Sequence, residues 1–250
     1  MDPETDELLT AAHAGPASGE HYVTVGAPLR HEVEINRSRF IACLSRVGSE
    51  SEAREHIVQL RHEFHDARHL PSAFVLGPRR SEQRTSDDGE PAGTSGVPIL
   101  HALSNHVCPT GRAELSDVLA VVVRYFGGIK LGAGGLVRAY GGIVSAALDR
   151  ARLVQRIHLV VLAVHLPAVS AGRHESALRS GGLDVISTQW RDAECVLEIG
   201  CEPPALDGDC CMGWWHLLCG VVRSCWEDVD HVQSPSQGVP RCRGGCCSSW

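Results

Sequence analysis

Lysine is almost missing from this chain: Lys130 is the single one, set against 22 arginines. Long apolar runs are missing too. None approaches the roughly 18 residues that a membrane-spanning helix needs, which argues against membrane insertion. No basic stretch followed by an apolar one opens the chain, so export is not expected and the cytoplasm is the default location. Two phosphate motifs fail as well. There is no Gly-Lys-Ser/Thr for a P-loop, and after Gly132-Ala133-Gly134 the third glycine of a dinucleotide fingerprint is replaced by Val137. No Ser-His-Asp or Cys-His arrangement is visible, and Cys43 and Cys108 read as small buried hydrophobes. Bulk positive charge is absent. Residues 31–154 carry 15 basic and 14 acidic side chains, and the net −7 comes from the two ends of the chain. Any nucleic-acid contact therefore has to be a local patch.

What is present is organised around residues 118–151, VLAVVVRYFGGIKLGAGGLVRAYGGIVSAALDRA. Residues 118–123 are a short, β-branched apolar run, right for a strand buried on both faces. From Leu136 the apolar residues Leu136, Val137, Tyr140, Ile143, Val144, Ala147, Leu148 and Ala151 follow a 3.6-residue period, which predicts an amphipathic helix. Gly127, Gly128, Gly132, Gly134 and Gly135 lie between the two. A glycine-rich loop ahead of a helix can aim N–H groups at an anion, and Arg124, Lys130 and Arg138 add full charges. The plainer alternative is a tight turn with close helix–sheet packing.

Along the chain, residues 1–21 are acidic and rich in small residues and read as a mobile leader. Residues 22–25 and 30–47 predict a strand and a hairpin turning near Asn36-Arg37-Ser38. Ser49 or Ser51 can cap a helix that carries Ala53, Ile57, Leu60 and Phe64 on one stripe and runs to about His65. A strand over 72–76 is followed by a stretch, 77–95, that reads as one long exposed loop. A helix over 98–107 and a polar connection over 108–117 lead into the central strand. Residues 153–166, 168–179, 183–189 and 193–200 then predict β-α-β-β, the first part of a ferredoxin-like unit, and the residues after Glu202 do not look like its completion.

Residues 206–250 differ in composition, holding seven of 11 cysteines and four of five tryptophans. Only Cys242-x3-Cys246 has zinc-like spacing, without a clear second pair, so the tail reads as foreign to the rest, as a frame-shifted end would.

Two further constellations carry chemistry. Residues 86–96, SDDGEPAGTSG, place Asp87, Asp88 and Glu90 within four positions, with Ser86 and Thr94 nearby. Such a loop can hold Mg²⁺ through one or two carboxylates plus phosphate; equally, its carboxylates can pair with Arg124, Arg138 or helix-start N–H groups. His65 and His69 would share a helix face if the helix continued, a metal-ligand spacing, although a surface or packing role is the simpler reading.

Together, Arg39-Phe40-Ile41, Asp66-Ala67-Arg68-His69, SDDGEPAGTSG and VVVRYFGGIKLGAGGLVRAY (121–140) closely resemble the YigZ/IMPACT family over residues 22–154, and residues 155–204 are similar to the smaller C-terminal domain of its bacterial members. The resemblance implies an α+β protein. Its N-terminal domain would be a ribosomal-protein/elongation-factor-G-like β-sheet with helices on one face, and its C-terminal domain ferredoxin-like, which the composition of this chain after Glu202 marks as incomplete. It also implies a role in translation, because eukaryotic relatives regulate activation of an amino-acid-starvation kinase. Leu70-Pro71-Ser72 departs from the His-Cys or Asn-Cys pair that relatives often carry there.

Two functions fit. In the first, the protein is a non-enzymatic, translation-associated binding protein whose acidic and glycine-rich loops meet RNA, a ribosome or a regulatory protein, with Tyr125 or Phe126 stacking if exposed. It needs no cofactor. In the second it is a phosphoryl-transfer enzyme, since LGAGGL is similar to the phosphate loop of the galactokinase–homoserine kinase–mevalonate kinase superfamily and the acidic loop could hold Mg²⁺.

Overall fold

A computed structural model describes residues 21–181, 183–201 and 218–229. Residues 1–20 of the expected leader, and the tail cysteines Cys210, Cys211, Cys242, Cys246 and Cys247, lie outside the described residues, while His21, the last residue assigned to the leader, opens a strand. Two compact units result, one holding residues 22–155 and the other residues 156–228. Among the described residues no helix is long and apolar enough to cross a membrane.

The first unit is built on an antiparallel sheet of five strands, β2 (Leu29–Ile35), β3 (Ser38–Arg46), β4 (Ser72–Leu76), β5 (Glu82–Ser86) and β6 (Val118–Tyr125). Their order is β2-β3-β6-β4-β5, which puts the most apolar strand at the centre. Period-two alternation sends neighbouring residues to opposite faces. Phe40, Ala42, Leu44, Val118, Ala120 and Val122 face one core, shared with Ile99 and Leu103 of α2 (Gly96–Asn105) and with Leu136, Tyr140, Ile143 and Val144 of α3 (Gly132–Leu148). Ile41, Cys43, Leu119, Val121 and Val123 face a second core with Ala53 and Leu60 of α1 (Glu50–Glu63). The α+β class holds. The expected placement of helices on one face describes α2 and α3, while α1 covers the other.

Local chemistry sets the boundaries. Ser49 caps α1 by accepting the Glu52 N–H at 3.2 Å, and the Glu52 carboxylate reaches back past the cap to accept the Gly48 N–H at 2.7 Å, a bond displaced by one residue from that of a capping box. Asn36 and Arg37 join β2 to β3 with φ of 48° and 63°, the left-handed pair of a two-residue hairpin. Strand β1 (His21–Val25) is tied in by Val23, whose N–H donates to Glu114 O at 3.1 Å and whose carbonyl accepts from Ser116 N–H at 2.8 Å.

Three expectations are corrected by this unit. The stretch 77–95 is not one loop, because residues 82–86 form β5 against β4. This edge strand is polar and almost wholly exposed, so it carries no apolar alternation to read. Helix α3 begins at Gly132 rather than Leu136, so Gly132, Gly134 and Gly135 form its first turn. Helix α1 ends at Glu63, so His65 and His69 share no helix face.

The second unit carries α4 (Ala168–Ser180) against β7 (Leu153–Pro167), β8 (Asp184–Arg191) and β9 (Glu194–Cys201). Its core joins Val160, Leu162, Val164 and Leu166 to Ala171, Leu178, Leu197 and Ile199. The expected incompleteness is corrected in part: β10 (Leu218–Val229), from the tail, pairs with β7. The order β10-β7-β9-β8 is that of a ferredoxin-like sheet, with the late strand beside the first. Arg156 Nε reaches Asp228 at 3.0 Å.

Candidate functional site

The acidic loop turns on itself first. Asp88 and Gly89 take φ of 44° and 82°, and Glu90 N–H donates to Asp87 O at 3.0 Å, the geometry of an Asp-Gly turn. Asp87 then points at the start of α2. Its carboxylate accepts the N–H groups of Gly93 (2.7 Å), Ser95 (3.1 Å) and Gly96 (2.8 Å) and the Ser95 hydroxyl (2.7 Å). Burial pushes this carboxyl up, but the Gly93 N–H, the Ser95 hydroxyl and the other two N–H groups outweigh it and hold its pKa below the ordinary 3.8.

A depressed folded value means that this carboxylate's contribution is complete above pH 3.8 and is lost as pH falls through the folded value. The urea midpoint of the wild type should therefore drop below that pH more steeply than that of Asp87→Asn. Parallel profiles for the two proteins would show that Asp87 is not the group responsible.

Asp88 binds Arg61 of α1 and accepts the Leu70 N–H at 2.5 Å, and its carbonyl meets His69 Nδ1 at 2.9 Å. Glu90 goes inward. One carboxylate oxygen, Oε1, accepts from Arg124 Nη1 at 2.6 Å and from the Tyr140 hydroxyl at 2.7 Å, with both charged side chains buried. Burial first, then the Glu90 carboxylate beside it, push the Tyr140 hydroxyl far above the ordinary tyrosine value. The Arg124 guanidinium carbon lies 5.5 Å from the Phe40 ring centre and 5.6 Å from that of Phe126, so the cation lies over two aromatic rings. Its buried Nε has no hydrogen-bond partner.

Each acidic side chain of residues 86–96 is thus held by donors of the protein itself. Ser86 ends β5, and Thr94 Oγ1 donates to Pro91 O at 2.6 Å. Among the described residues no group of three or more His, Cys, Asp or Glu is placed to hold a metal ion, and Asp87, Asp88 and Glu90 are each engaged by donors of the protein. The link between the two loops is Glu90, which reaches β6 and α3 at once.

The glycine-rich loop is different in kind. It leaves β6 at Tyr125 and is pinned at Gly127, whose N–H donates to Ser38 Oγ at 3.2 Å. A Cβ on Gly127 would stand 1.8 Å from the Arg37 carbonyl oxygen, so only glycine allows this approach. Beyond it, Gly128, Ile129, Lys130, Gly132, Ala133 and Gly134 are exposed. Helix α3 then starts with no side-chain cap and no acidic residue in its first turn. Arg138 folds back over that turn, with Nη1 3.8 Å from where a Gly134 Cβ would sit. Among the described residues neither Lys130 nor Arg138 has an ion-pair partner.

The other expected contact residues divide clearly. Phe126 is 52% exposed, whereas Arg124, at 7%, belongs to the buried ion pair and not to the surface. The Tyr125 hydroxyl donates to Asp66 at 2.7 Å, and its ring is covered by Arg39 at 5.5 Å. That hydroxyl holds the Asp66 carboxyl below its ordinary value. His65 is exposed and His69 is packed beside Gly89. Cys43 and Cys108 are buried, and burial pushes the Cys43 thiol up to about 11, far from a nucleophile's range. The roles of Arg61 and Asp66 are not visible in the sequence, because each acts on a residue 27 or 59 positions away.

Residues 36–148 match the Impact N-terminal domain. The IMPACT family member YvyE of Bacillus subtilis (strain 168) is 44% identical over 158 residues, which cover 63% of this chain and 70% of that protein. The chain belongs to the IMPACT family. Another IMPACT family member, from Thermus thermophilus, is 43% identical over 150 residues, 60% of this chain and 76% of the relative. The IMPACT family member YigZ of Escherichia coli (strain K12) is 43% identical over 131 residues, 52% of this chain and 61% of its own. A crystal structure of a hypothetical protein is similar with a TM-score of 0.54 at 32% identity, covering 78% of this chain and 91% of that one. The mixed fold agrees with that of the family, and both loops lie within the residues matched to the Impact N-terminal domain.

Proposed function

We propose that this IMPACT-family chain is a translation-associated binding protein that takes RNA phosphates, free or within a ribosome, on the exposed surface of residues 126–138. The observation that carries the reading is the uncompensated positive charge at the start of α3. A helix N-terminus is the positive end of the dipole and favours acidic neighbours. Here it has none, and instead carries Lys130 beside it and Arg138 folded over it. An incoming anion relieves that repulsion and pairs with the free N–H groups of the first turn. The acidic loop serves this surface as a brace, through Glu90, and not as a second contact.

The test is a titration of labelled RNA or of ribosomes across salt concentration. Binding should weaken with added salt, and Lys130→Ala should weaken it for every sequence while lowering the salt slope by about 1. Lack of binding at low salt, or binding indifferent to Lys130→Ala, would remove the reading.

A further inference from the structure

Resting on that reading, we infer that the surface selects unpaired RNA over duplex, with Phe126 stacking on a base and Arg37, from the β2–β3 turn, holding an adjacent phosphate. Phe126 is the one aromatic of the loop left open, since Tyr125 is occupied by Asp66 and Arg39. Its ring is backed by the buried Arg124 guanidinium, whose Nε is unpartnered, so a cation lies beneath an exposed π-face. A base in a duplex has its faces covered by its neighbours, and only a single strand can offer one to such a ring.

Arg37 is brought to the same place by the close approach at Gly127, where an added Cβ would stand 2.6 Å from Arg37 Cβ. The residue is exposed and without an ion-pair partner among the described residues. It also occupies a left-handed position, φ 63°, where glycine or asparagine is the ordinary choice, so the turn keeps an arginine where a simpler residue would fit the backbone better. Arg37 reaches the loop at Gly127, next to Phe126, and Lys130 follows three residues further on, so phosphate contacts would fall near a base stacked on Phe126.

The experiment compares a single-stranded RNA of roughly 12 nucleotides with the duplex of the same sequence, using the full chain. The single strand should bind at least about tenfold more tightly, Phe126→Ala should lose about tenfold on the single strand only, and Phe126→Trp should restore it. Arg37→Gly suits the turn, so the thermal midpoint should hold or rise while the salt slope for the single strand falls by about 1. Equal affinity for the two RNAs, or unchanged binding in Phe126→Ala, would overturn the inference while a Lys130-dependent salt response left the anion surface standing. No RNA binding of any kind would take both away.

Discussion

Glu90→Ala should cost about 3–5 kcal/mol of unfolding free energy, the usual result of stripping one partner from a buried ion pair. Arg124 would be left charged and buried beside Phe40 and Phe126, with the Tyr140 hydroxyl also short of its acceptor. Against a domain stability of about 5–15 kcal/mol, that is a fifth of the total or more. Glu90→Gln, which keeps shape and loses charge, should lie between wild type and alanine. Removing both charges together, as Glu90→Leu with Arg124→Met, should cost less than Glu90→Ala alone, because no orphaned cation remains. Urea unfolding measures all three. A change below about 1 kcal/mol for Glu90→Ala would mean that the pair is wet and the loop does not depend on it.

Gly127→Ala is the second large effect, and its cause is steric. The added methyl would overlap the Arg37 carbonyl oxygen at 1.8 Å, a backbone atom that cannot rotate away. The β2–β3 turn and the glycine-rich loop must separate, at a cost of about 3 kcal/mol or more. RNA affinity should fall with it, since Arg37 and Phe126 move apart. Gly128→Ala is the natural comparison. That residue has a φ of 88° but open space around it, so the change strains the backbone without a clash and should cost only about 1 kcal/mol. Equal losses for the two variants would show that conformational freedom, not closeness, is what Gly127 provides.

Much of this fold is legible in the residues because burial imposes a period. The apolar runs of β3 and β6, the stripe on α1 and the Asn36-Arg37 turn each carry their own local signature. Strand β5 carries none, since Glu82–Ser86 is nearly all exposed and its pairing is made by backbone alone. The start of α3 is hidden by its own glycines, which are poor helix formers and lack a cap. Partners that lie far apart in sequence are hidden more deeply. Asp87, Asp88 and Glu90 stand together and read as one acidic ligand set, yet they go to α2, Arg61 and Arg124, a division that spacing does not encode. The position of β10 beside β7 is obscured by the unusual composition around it.

The central place of β6 also dictates an order of events during synthesis. Strands β3 and β4 are not neighbours, and each pairs with β6 on its inner side. Until residues 118–125 have left the ribosomal exit tunnel, the nascent chain can hold only two separate hairpins, β2–β3 and β4–β5, each with an apolar edge facing water. Closing them requires contacts between residues such as Ala42 and Val122, so this sheet condenses late and in one step, and a chain released before Val118 has no strand to join its two hairpins into one sheet.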